Sequence, residues 1–128
     1  MKKILLAALL LCLGYWGVTD FVRSGKLERY LDAHPAPVRN AAIEYYWGAA
    51  LRYIHHPASA EYRFRRVMKV YPETPYAPLA WFDLISMLED AGNQAAVLTE
   101  AELFVEAYPD HHKAALARNK IHILKYGI

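Results

Sequence analysis

Two pairs of adjacent histidines, His55-His56 and His111-His112, are the side chains of this 128-residue chain whose type best suits a metal, and Cys12 is its one thiol. A zinc site needs three or four ligands converging on one point. Neighbouring residues on a helix do not share a face, and both pairs stand beside prolines that mark helix ends, so they read as capping or solvated residues. Cys12 lies inside an apolar run, where no second thiol exists to complete a disulfide or a cluster. The chain has no Gly-rich phosphate loop, no Ser-His-Asp arrangement and no carboxylate pair within an apolar stripe. The reading is therefore no metal, no cofactor, no catalytic residue and no enzyme. Arg63, Arg65, Arg66 and Lys69 form a basic run that reads as a solvated face, with anionic lipid as its alternative contact. Fifteen basic and 13 acidic side chains are spread along the chain for a net charge of +2, which argues against nucleic acid as a partner.

Any such groups must be positioned by elements, and the first of these is apolar. Residues 4–22, ILLAALLLCLGYWGVTDFV, run for 19 residues with Asp20 as the one charge. As a helix this is roughly 28 Å, against a hydrocarbon core of about 30 Å. Tyr15 and Trp16 suit an interfacial aromatic belt. A retained anchor, a cleaved signal peptide and a lipoprotein signal all fit this segment. No A-x-A cleavage pattern occurs, CLG and GVT being the weak alternatives, and Cys12 follows Leu11 rather than a small residue. A membrane anchor over residues 1–22, touching the bilayer through 4–22, is the expectation, with a second region at 23–128. Lys2 and Lys3 on one side and Arg23, Lys26 and Arg29 on the other leave the positive-inside count tied.

The rest of the chain repeats. Pro35, Pro72 and Pro109 stand 37 residues apart, in AHPAPVRNAAIE, VYPETPYAPLAWF and AYPDHHKAALAR, each leading into an Ala-rich segment. Between them apolar residues step by three and four. Ile43, Trp47, Ala50, Leu51 and Ile54 predict one stripe on a helix over about 38–54. Pro57 suits the first turn of the next helix, whose stripe is Ala60, Phe64, Val67, Met68 and Tyr71. In the following period Thr74 is placed to cap a helix that runs to about Ala91, Gly92 ends it, and Asn93 caps another with Val97, Leu98, Ala101, Phe104, Val105 and Tyr108 inward. A last helix follows Pro109. Upstream, residues 19–33 carry the phase of a second helix into which the anchor runs. The expected fold is all-α, an anchor helix followed by about 2.5 helical hairpins.

Trp47, Gly48, Leu51, Ala60, Phe64, Val67 and Pro72 resemble the tetratricopeptide signature W…L-G…Y…A…F…A…P, with Glu44 where its first Trp belongs. In the second repeat Trp81 takes that place, followed by Leu84, Leu88, Val97, Ala101, Phe104 and Pro109. There Ile85 replaces the small residue, and Ala101 beside Phe104 inverts the order of Phe64 beside Val67. The period exceeds the usual length of about 34 residues. It is similar to that of repeats in bacterial envelope proteins such as the outer-membrane assembly lipoprotein BamD and the Tol–Pal-associated cell-division coordinator.

Stacked hairpins bury their apolar faces on one another and leave a curved face free. The resemblance implies that the first helix of each pair lines that face: Ala42, Tyr45, Ala49, Arg52 and Tyr53, then Leu79, Phe82, Ser86, Glu89 and Asp90, then Leu116, Asn119, Ile123 and Tyr126. The candidate partner-binding residues are Tyr45, Ala49, Arg52, Tyr53, Phe82, Ser86, Glu89, Asn119 and Ile123. Packing of Tyr45, Phe82 and Ile123 between neighbouring first helices is the competing reading. The implied protein is a membrane-anchored adaptor or accessory subunit of an envelope complex, single-pass in the inner membrane with its repeats in the periplasm. A periplasmic chaperone that holds peptides transiently, and a structural subunit of an integral membrane complex, are the alternatives. Leu116, Ile121, Ile123 and Leu124 lie on more than one side of the last helix, which predicts that a second copy or another protein covers part of it.

Overall fold

Proline and glycine set most of the helix ends. The computed structural model describes residues 1–33 and 35–127, and among these every regular element is α-helical. In chain order they are α1 (Lys2–Arg23), α2 (Lys26–Ala33), α3 (Pro37–Tyr53), α4 (Pro57–Val70), α5 (Tyr76–Asp90), α6 (Gln94–Ala107) and α7 (Ala114–Tyr126). The chain divides into two compact units, residues 1–36 and 37–128.

In the first unit α1 is long and apolar enough to cross a membrane, and none of its residues is buried. Such a helix serves equally as a signal sequence or a signal-anchor. The expected continuous helix over residues 19–33 is interrupted. Ser24 and Gly25 donate their N–H groups to the carbonyls of Asp20 and Val22, and Gly25 takes φ +75°. That left-handed turn is what glycine permits after a helix C-terminus. The Arg29 guanidinium returns to the Ser24 carbonyl at 3.2 Å.

In the second unit each helix from α3 to α7 packs on its neighbour in sequence. The turns repeat with the 37-residue period. At the α3–α4 turn His56 N–H bonds Leu51 C=O, and at the α5–α6 turn Asn93 N–H bonds Leu88 C=O, both in the 6→1 pattern of a Schellman closure. The left-handed residue inside it is His55 (φ 63°) in the first case and Gly92 (φ 77°) in the second. Thr74 does not cap α5. Pro75 holds the N-cap position, and the Thr74 hydroxyl, buried, donates to the Tyr71 carbonyl at 2.8 Å. Asn93 does cap α6, accepting from the Ala96 N–H.

Two apolar clusters result. Phe64 packs with Ala41, Ala60, Val67, Tyr71 and Ala80, and Phe104 packs with Phe82, Ile85, Val97, Ala101 and Ala117. The α4 and α6 stripes are the ones the periodicity predicts. That of α3 is not: Ile43, Ala50 and Ile54 are exposed, and the inward face carries Ala41, Glu44 and Gly48 instead. α3 is apolar around most of its circumference, so spacing alone leaves its buried side undetermined.

α7 is apolar on more than one side, as its sequence predicts, with Leu116 and Ile123 exposed. Ala117 is buried and Ile121 and Leu124 pack on the Phe104 cluster. Arg118, His122 and Lys125, one period after the inward-facing Trp81, Ile85 and Leu88, are all exposed.

Candidate functional site

The first helices α3, α5 and α7 present the candidate residues, and most of the polar ones tie one helix to the next. Tyr45 on α3 donates its hydroxyl to Asp83 Oδ2 on α5 at 2.7 Å. Arg52 on α3 reaches Asp90 Oδ2 at 3.2 Å and Asp83 Oδ1 at 3.8 Å. Glu89 on α5 receives Lys120 Nζ of α7, 2.8 Å from each carboxylate oxygen. Burial, and then the hydrogen bond to Asp83, push the Tyr45 phenol well above its ordinary value. Ser86 turns its hydroxyl back to the Phe82 carbonyl.

Phe82 is a core residue. The residue is 7% exposed, and the Lys113 and Lys120 ammonium groups lie over its ring at 5.2 and 5.8 Å. Tyr45 is half-buried, its ring 5.9 Å from Phe64 and 5.7 Å from Tyr76. Ile123, by contrast, is 47% exposed and Tyr53 84% exposed, and Asn119 is also open to solvent. The nine candidates thus separate into a group spent on packing and inter-helix ties, and an accessible group of Tyr53, Asn119 and Ile123 with half-buried Ala49.

An open cavity of about 640 Å³ is lined by Ala49, Arg52, Tyr53, His55 and Asp83. Its wall joins the end of α3 to the middle of α5. Register on the first helices singles out neither Asp83 nor His55. Asp83 lies 38 residues after Tyr45, one beyond the period, so a strict repeat map passes over it. His55 reaches the cavity through its left-handed turn conformation, which no spacing rule records. Among the lining charges Arg52 faces Asp83, which suits a partner contact made mainly through aromatic and apolar surface with a polar edge.

The basic run on α4 is not a solvated face throughout. Arg63 and Arg66 turn inward to Glu44 Oε1, at 3.3 and 2.5 Å, and Glu44 is fully buried. Only Arg65 and Lys69 of that run are exposed, Arg65 holding Glu61 at 2.9 Å. A carboxylate in an apolar position of a helix demands such partners, because an uncompensated buried charge costs several kcal/mol, on the order of 3 to 5. One period later the same pair of positions holds Trp81, whose indole N–H donates to Glu100 at 2.8 Å.

The histidine pairs are positioned by turns. His111 stacks on His112 with centroids 4.3 Å apart and meets Phe104 edge-on. Among the described residues no group of three or more His, Cys, Asp or Glu side chains converges. No family model, no curated protein and no solved structure matches this chain.

Proposed function

We propose that the chain is a membrane-anchored adaptor or accessory subunit with tetratricopeptide-like hairpins, holding a protein partner against the face built by α3, α5 and α7. The reading places it single-pass in the inner membrane with the repeats in the periplasm, and assigns it no catalysis or cofactor. The observation that carries it is the division of labour on that face. Tyr45–Asp83, Arg52–Asp90 and Glu89–Lys120 fix successive first helices to one another, while Tyr53 stays accessible at the open cavity and Asn119 and Ile123 stay exposed on α7. Aromatic side chains with a polar end supply large contact area at low entropic cost, which favours binding by such a surface.

Mild detergent extraction of the full chain, followed by identification of co-purifying proteins, tests the reading. A discrete partner retained by the wild type and lost from Tyr53→Ala and Ile123→Glu supports it. A heterogeneous set of unfolded polypeptides indicates the chaperone alternative, and a partner held equally by both variants moves the interface elsewhere. The intact mass of the extracted protein tests the anchor separately: a chain beginning between residues 13 and 25 shows cleavage. Labelling of Asn93→Cys in a Cys12→Ser background by an impermeant thiol reagent tests the periplasmic placement.

A further inference from the structure

Four residues of α3, Arg39, Ile43, Tyr46 and Ala50, and Ile54 directly after it fall within an arc of about 80° at roughly 100° per residue. All are exposed, Ile43 at 39%, Tyr46 at 61% and Ile54 at 48%, with half-buried Trp47 along the edge of the arc. The repeat shows how unusual this face is. One and two periods after Ile43 stand Ala80 and Ala117, both fully buried, and after Ala50 stand Met87 and Leu124, both packed on the cores. α5 and α7 therefore bury these two positions in the stack, whereas α3 leaves Ile43 and Ala50 open.

We propose that this face of α3 rests in the headgroup interface of the bilayer that α1 enters. The inference depends on α1 being a retained anchor. Two features of the arc favour a lipid surface over a protein. Its composition is Tyr, Ile and Ala with Trp at the edge and Arg39 as the one charge, the amphipathic mixture that partitions into an interface. It carries no acidic side chain to repel anionic headgroups, since Glu44, the only acid of α3, is buried. α3 starts 14 residues after α1 ends, and with the eight residues of α2 helical the connection spans at most roughly 35 Å, so the bilayer surface stays within its reach.

The test uses the full chain in phosphatidylcholine–phosphatidylglycerol vesicles with a bimane label at one of three sites: native Cys12, Ala50→Cys, or Thr99→Cys on exposed α6, the last two in a Cys12→Ser background. Doxyl lipids should quench Cys12 and Ala50→Cys at least about threefold more than Thr99→Cys, with Ala50→Cys responding more to shallow than to deep doxyl groups. Adding Ile43→Glu and Ile54→Glu should bring Ala50→Cys down to the Thr99→Cys level and leave Cys12 unchanged. If Cys12 is quenched while Ala50→Cys behaves like Thr99→Cys and is open to aqueous iodide, the interfacial face is wrong and the anchor stands. Quenching at neither site overturns both. Shielding of Ala50→Cys from lipid and iodide alike, lost on dilution of protein in lipid, assigns the face to a second copy and overturns the lipid contact.

Discussion

The Phe64 ring of α4 lies directly against the backbone of α3 at Gly48, where a Cβ would stand 2.9 Å from Cε1 and 3.1 Å from Cδ1. One period later the sizes are exchanged, Ile85 facing Ala101, and both are fully buried. The two hairpins fill the same contact with opposite shapes. Gly48→Ile should therefore destabilise by about 1–3 kcal/mol through overpacking, and Phe64→Ala by about 3–5 kcal/mol through the cavity it leaves. The double variant, which copies the second hairpin into the first, should cost clearly less than their sum. Urea midpoints of the four proteins measure this, and strict additivity would show that the two positions do not share a contact.

Glu44 and its two arginines make a buried ionic cluster at the place where the second hairpin uses Trp81. Glu44→Ala should cost about 3–5 kcal/mol, because it strips a carboxylate from Arg63, itself 5% exposed. Glu44→Gln keeps the volume and should recover only part of the loss. Equal midpoints for Glu44→Ala and wild type would place the cluster in water.

At the α3–α4 turn His55 occupies the left-handed position that Gly92 fills one period later. A non-glycine residue there is strained by about 1 kcal/mol. His55→Gly should raise the thermal midpoint, and a fall would show that the imidazole makes a contact worth more than the strain.

These examples indicate what the sequence made legible. The proline period and three- and four-residue spacing located every hairpin helix, because those signals are local. The break at Ser24-Gly25 is not legible because the repeat phase continues through it. The buried side of α3 was hidden because Ile43, Ala50 and Ile54 are as apolar as a core stripe, while the inward Glu44 pairs with arginines two turns into the next helix. In the site, exposed Tyr53 and Ile123 followed from register, but Arg52, Glu89 and Tyr45 acquire their inter-helix role only from partners in other helices.

His111 titration should couple acidity to the start of α7. Its Nδ1 accepts the Lys113 N–H at 3.1 Å, which requires an unprotonated nitrogen there. Burial first, then His112 and Lys113, hold its pKa below the ordinary value. A depressed folded value means that the neutral ring contributes stability above about pH 6.5, lost as the pH falls through the lower folded value. His111→Thr, copying Thr74 of the preceding turn, should lessen the fall in melting temperature between pH 7.5 and 5. An unchanged fall would assign it to other groups.

Site-specific photocrosslinking in intact cells tests the central claim most directly, namely that the α3–α5–α7 face holds a protein partner. A benzophenone side chain placed at Tyr53 or Ile123 should give one discrete heavier adduct, the same partner from both sites. At Leu103, 47% exposed on α6, it should give none. Adducts of equal yield from Leu103 and Tyr53, or none from Tyr53 and Ile123 while the full-length protein is present, would contradict the account.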